Sequence, residues 1–82
     1  MLLCVQLFGS VADQLKVREI NINWEQPEIS VTDLLDHIQN QHPTLKSMRN
    51  TLAVAVNMAY VGSDHIVHDG DEVAIIPPVS GG

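Results

Sequence analysis

Cysteine is nearly absent from this 82-residue sequence. Cys4 stands alone, so no internal disulfide can hold the fold together. Aromatic residues number three, Phe8, Trp24 and Tyr60, which leaves little material for both a core and a deep substrate pocket. The chain therefore reads as a non-catalytic protein rather than a self-sufficient enzyme. Basic residues are also scarce, with four Lys and Arg against ten Asp and Glu for a formal charge of -6. Such a chain repels phosphates and gains nothing from counterion release, which argues against nucleic acid and anionic membrane as partners and favours a positively charged protein surface. No apolar run approaches the roughly 20 residues of a membrane span. The N-terminus lacks the basic segment and apolar core of a signal peptide, so the cytoplasm is the expected compartment. Nor is there a Gly-x-x-x-x-Gly-Lys-Ser/Thr loop to cradle nucleotide phosphates, so any nucleotide chemistry must be a partner's.

What is present is a chain 45% hydrophobic and only 17% charged, too apolar for disorder and of a size for one domain. Leu2 to Phe8 is apolar on both alternating sets apart from Gln6, which predicts a central strand buried on both faces, with Cys4 a small core hydrophobe. After Gly9, Ser10 is placed to cap a short helix through Val11, Ala12 and Leu15. Val17, Ile20 and Ile22 predict a strand within Lys16 to Asn23, antiparallel to the first because the connection is short. Residues 24–29 read as a polar loop. Ser30 and Asp33 resemble a capping box, and Val31, Leu34, Leu35 and Ile38 share one helical face up to the stop before Pro43. Thr44 to Arg49 suggests a further turn. Leu52 to Val56, Met58 to Val61 and Glu72 to Ile76 complete the strands. The order implies an α+β fold, a mixed sheet packed against one main helix, with the first and last strands parallel neighbours at its centre.

The C-terminus carries the most chemistry. Residues 1–76 form the globular domain, and residues 77–82 an extended tail. Pro77 and Pro78 remove two backbone donors and fix φ, so the chain leaves the last strand as a stiff stalk. From Pro77 through Val79, Ser80 and Gly81 to Gly82 it spans at most about 20 Å. Gly81 and Gly82 have no side chains, so the final units can thread a narrow channel. At the tip is a carboxylate on an unhindered methylene. It is inert until AMP transfer from ATP, by another protein, converts it to a mixed anhydride open to nucleophiles.

Phe8-Gly9 after the first strand, and above all Asp69-Gly70-Asp71-Glu72-Val73-Ala74-Ile75-Ile76-Pro77-Pro78-Val79-Ser80-Gly81-Gly82, resemble the small, sulfur-carrier subunits of molybdopterin synthases. The resemblance implies a ubiquitin-like β-grasp fold in which Gly82 is the reacting residue. An activating enzyme similar to ubiquitin E1 would use ATP to adenylate it, and a thiocarboxylate would replace the carboxylate. The sulfur would pass to cyclic pyranopterin monophosphate inside the large catalytic subunit, usually in a heterotetramer. The carrier itself would hold no permanent cofactor. Val11-Ala12-Asp13-Gln14-Leu15 departs from the Leu-Arg-Glu-like helix of many members.

Phe8, Met58 and Tyr60 are candidates for the partner interface, forming a patch if they share an exposed sheet face. Two other functions use the same activated terminus. One is sulfur delivery for thiamine or tRNA thiolation, against which the Pro-Pro-Val-Ser lead-in argues. The other is ubiquitin-like modification of target lysines through Gly82. A plain interaction domain with an idle tail is a third possibility. His65 and His68 are three apart and His37 lies on the predicted helix, but without a cysteine pair this spacing gives no metal site, and the histidines read as surface residues. Asp64, Asp69, Asp71 and Glu72 do not match a calcium loop and read as a solvated acidic turn.

Overall fold

The structure is a computed structural model that describes residues 1–77; Pro78, Val79, Ser80, Gly81 and Gly82 lie outside the described residues. Strand β1 (Leu2–Leu7) is followed by α1 (Gly9–Leu15) and β2 (Glu19–Asn23). Strand β3 (Glu28–Ser30) leads into α2 (Val31–Gln41), α3 (Leu45–Met48) and a 3-10 turn over Arg49–Thr51. Strands β4 (Ala53–Val56), β5 (Ala59–Val61), β6 (Ile66–His68) and β7 (Val73–Ile76) complete the chain. The main sheet has the order β2-β1-β7-β4-β5, and β3 pairs with β6 in a separate ribbon. As expected, β1 runs antiparallel to β2 and parallel to β7, which occupies the centre.

Helices cover only one face of this sheet, and that corrects the expectation for the first strand. Leu3, Val5 and Leu7 are buried, whereas Leu2, Cys4 and Gln6 face outward and are exposed. Strand β1 is therefore not enclosed on both sides, and Cys4 is a surface residue rather than a core hydrophobe.

The core lies between the inner face and α2, where Leu3, Ile22, Leu34, Ile38, Leu45 and Ile75 are fully buried. Truncating one of these to Ala removes packing worth about 2–5 kcal/mol. Val31, Leu34, Leu35 and Ile38 form the buried stripe of α2, as the 3.6-residue spacing requires. Ser30 caps that helix, its hydroxyl accepting from the Asp33 N–H at 3.1 Å. The helix stops at His42, before Pro43. Arg49 ties the following turn back to α2 through Asp36 and Gln39.

Two local expectations fail. Ser10 does not cap α1: the N-cap residue is Phe8, with no side-chain cap bond; its carbonyl accepts from the Ala12 N–H at 3.5 Å, while its own N–H is tied to the Ile75 carbonyl of β7 at 3.2 Å. Within the supposed polar loop, Glu28–Ser30 forms β3, which pairs through Ile29↔Val67 with β6. Strand β6 carries no alternation long enough to read from sequence, yet Ile29 and Val67 are both buried.

Candidate functional site

The register of the main sheet places four residues side by side on its outer face. Gln6 pairs with Ala74, Ala74 with Ala55, and Ala55 with Tyr60. Successive strands lie about 4.8 Å apart, so this row crosses from β1 to β5 with two methyl groups in its middle. Larger residues stand around them: Phe8 and Ile76 on one side, Met58 and Glu72 on the other. The result is an open groove of about 340 Å³ lined by these residues and Val73. Small side chains make the floor and large ones the walls.

Phe8, Met58 and Tyr60 therefore converge, and all three are exposed, by 51%, 93% and 70% respectively. Each owes its position to a local device. Phe8 follows the last ladder residue of β1 and precedes α1, so its side chain continues the outward set of Leu2, Cys4 and Gln6 by alternation. Tyr60 is the outward residue of edge strand β5. Met58 sits in the two-residue turn between β4 and β5, where Asn57 and Met58 take φ of 52° and 70°. Positive φ at both positions is the type I′ geometry that suits a tight hairpin.

Four polar contacts steady that turn. Asn57 donates its backbone N–H to the Glu72 carbonyl at 2.8 Å and its Nδ2–H to Asp71 Oδ1 at 3.0 Å. Its Oδ1 accepts from the Glu72 N–H at 3.0 Å. Asp71 Oδ2 in turn accepts from the His68 N–H at 2.8 Å. The backbone donor of His68 and then the Asn57 amide hold the Asp71 carboxyl below its ordinary range, because both bonds favour the charged form. The acidic turn is thus a structural clasp as well as a solvated segment. Its role escapes sequence inspection because it depends on β4 and β7 being neighbours.

Pro77 is the single tail candidate within the described residues. It is half-buried and follows directly on Ile76, the groove residue at the end of the central strand. Pro78, Val79, Ser80, Gly81 and the reacting candidate Gly82 lie beyond the description. Cys4 is exposed near Gln6 and Glu19, and its thiol is pushed up by desolvation and then by the Glu19 carboxylate, so it stays protonated and a poor nucleophile at neutral pH. His65 and His68 are exposed, and among the described residues no three His, Cys, Asp or Glu side chains converge as metal ligands. His37 instead meets the ring of Trp24 edge-on at 5.6 Å. No helix among the described residues is long and apolar enough to cross a membrane.

The geometry gathers an apolar groove on the outer face, with Ala55, Ala74 and Ile76 as members that only the strand register reveals. None of Lys16, Arg18, Lys46 and Arg49 lines the groove.

Comparison with known proteins gives a consistent result. The model of the ThiS family matches residues 5–82. The chain is 40% identical over 81 residues to the molybdopterin synthase sulfur carrier subunit of Homo sapiens, covering 95% of this chain and 91% of that protein. Its structure is similar to that of SAMP1, a small archaeal modifier protein from Haloferax volcanii, with a TM-score of 0.84 and 27% identity over the whole of both chains. It is also similar to a chain in the complex of subunits 1 and 2 of the molybdopterin-converting factor of Helicobacter pylori, with a TM-score of 0.68 and 25% identity over the whole of both. With the ubiquitin-like β-grasp architecture of these neighbours and a match over nearly its full length, the chain belongs to the ThiS family and resembles its molybdopterin synthase sulfur carriers.

Proposed function

We propose that this protein is the sulfur carrier of molybdopterin synthesis, the non-catalytic small subunit of a molybdopterin synthase. The observation that carries the reading is the coincidence of two features at one place. The exposed groove of Phe8, Met58 and Tyr60 lies on the same sheet face as Ile76, and Ile76 is followed at once by Pro77, the first residue of the segment that ends in Gly81-Gly82. A large catalytic subunit covering the groove stands where the chain leaves the domain. The human relative and the two-subunit complex of Helicobacter pylori support that choice of partner.

The chemistry then belongs to Gly82. An E1-like enzyme joins the Gly82 carboxylate to AMP from ATP, releasing pyrophosphate. Hydrosulfide, or a donor that releases sulfur at that oxidation level, attacks the acyl carbon and AMP leaves, so one oxygen is replaced by sulfur. The thiocarboxylate is ionised at neutral pH and is the stronger nucleophile. Inside the large subunit its sulfur attacks cyclic pyranopterin monophosphate, and hydrolysis of the acyl group returns the carboxylate. No side chain of the carrier takes part in these steps. Gly81 gives clearance, while Pro77, Pro78, Val79 and Ser80 span the distance. ATP is a reactant of the activating partner, and the cytoplasm is the compartment that fits the pathway.

Reconstitution tests the reading. The thiocarboxylated carrier, in at least twofold excess over cyclic pyranopterin monophosphate because the dithiolene takes two sulfurs and each carrier brings one, should yield molybdopterin with the large subunit, and a chain lacking Gly82 should yield none. Product from the truncated chain, or none from the intact one, contradicts it. The structural likeness to a small archaeal modifier protein favours a second reading, attachment of Gly82 to lysines of target proteins. It uses the same adenylate and predicts isopeptide adducts in cells, which the first reading does not.

A further inference from the structure

Phe8 contributes to the groove, but nothing in the docking reading uses its neighbour Gly9. The parallel ladder between β1 and β7 runs Val5↔Val73, Gln6↔Ala74 and Leu7↔Ile75. Extending that register by two residues sets Gly9 opposite Pro77. There the two strands part. Strand β7 stops where Pro77 offers no N–H, and β1 turns into α1 with Gly9 at φ 56°. A Cβ on Gly9 would stand 2.8 Å from Pro77 Cγ and 3.6 Å from Pro77 Cδ. The first distance is closer than real Cβ atoms come, and the obstacle is a ring closed onto its own backbone rather than the tip of a flexible side chain.

We infer that Gly9 is a positioning residue for the C-terminal segment. By lacking a Cβ it lets the Pro77 ring seat against the start of α1, and that seat holds the backbone at Pro77, the root of the C-terminal segment. The inference deepens the sulfur-carrier reading and rests on it for its purpose: a terminus that must enter a partner's cleft loses less freedom on binding when its root is already held. Phe8 and Gly9 then serve the same partner from adjacent positions, one through a side chain and the other through having none.

A double-mutant cycle on the full chain separates the seat from backbone strain. Gly9→Ala introduces both a left-handed φ for an L-residue and the clash with the ring. In the Pro77→Ala background the clash is gone and the φ strain remains, so it cancels from the comparison. A spin label on the exposed Cys4 thiol reports, through relaxation of the amides of residues 79–82, where the tail points in the free protein. Gly9→Ala is expected to change that relaxation profile when residue 77 is proline and to leave it unchanged when residue 77 is alanine. In single-turnover sulfur transfer, Gly9→Ala should slow the reaction by up to about a hundredfold with Pro77, a loss of the size that misplacement of a reacting group produces. An unchanged relaxation profile, or the same change in both backgrounds, overturns the inference whatever the activity. Should Gly9→Ala not fold, Pro77→Ala alone decides: it must alter the wild-type profile, and failure to do so overturns the seat. A wild-type carrier that transfers no sulfur counts against the function reading, while the relaxation data still judge the seat.

Discussion

Asn57 and Asp71 are joined beside the groove by an Nδ2–H···Oδ1 bond of 3.0 Å, and through it the β4–β5 turn is fastened to the turn that precedes β7. The same asparagine accepts from the Glu72 N–H, so one side chain uses both its donor and its acceptor on neighbouring residues. Met58, next in sequence, is held almost fully exposed at the groove wall as a consequence.

Replacing Asn57 separates these contributions. Asn57→Gly keeps the positive φ and loses two side-chain bonds, at about 0.5–1.5 kcal/mol each. Asn57→Ala adds about 1–2 kcal/mol of left-handed strain. Urea denaturation should therefore rank wild type above Asn57→Gly and Asn57→Gly above Asn57→Ala. Equal stability of the two variants would show that the backbone conformation carries no cost.

Met58 offers a trade between stability and docking. Glycine takes φ of 70° without the penalty of a side chain, and Asn-Gly is the favoured pair for this turn. Met58→Gly should raise stability by about 1 kcal/mol while weakening binding to the large subunit, because an apolar wall of the groove is gone. Thermal melts and calorimetric titration measure the two effects. A gain in both, or a loss in both, would contradict the placement of Met58.

Asp71 makes stability depend on pH. Its carboxyl is held below the ordinary value of about 3.9 by the His68 N–H and the Asn57 amide, so the charged form is bound more tightly in the folded state than in the unfolded one. That contribution is fully present above about pH 5 and is lost as pH falls through the depressed folded value. The stability difference between wild type and Asp71→Asn should be largest near neutrality and shrink on acidification below about pH 4. A difference that is constant from neutral to acid pH would contradict this account.

The outer face should tolerate changes in the free protein and not in the complex. Phe8→Ala and Tyr60→Ala remove exposed side chains, so each should shift folding stability by no more than about 0.5 kcal/mol. Each should weaken the complex with the large subunit by about 1–2 kcal/mol or more, in the range of aromatic interface residues. Tight binding by the double variant would mean that the partner sits elsewhere.

How much of this was legible in the sequence follows from where the information lies. The helix α2 was readable in full, since Ser30, the stripe from Val31 to Ile38 and Pro43 are all local signals. The parallel pairing of first and last strands followed from their shared apolarity. That same apolarity misled on burial: Leu2 and Cys4 look like core residues, yet among the described residues no helix covers their side of the sheet. An apolar outer face and an apolar core give the same pattern until the layers are known. Ile66–His68 was missed because three residues are too few to show alternation. Phe8, Met58 and Tyr60 were identifiable as candidates, but the alanine floor between them exists only through the register of four strands, and the Asn57–Asp71 clasp only through the adjacency of β4 and β7.

The most direct measurement is the intact mass of the protein after incubation with its activating enzyme, ATP and a sulfur source. The account predicts a gain equal to sulfur minus oxygen, located at Gly82 by fragmentation and absent when ATP is withheld. An unchanged mass, or a sulfur found on Cys4 instead, would contradict it.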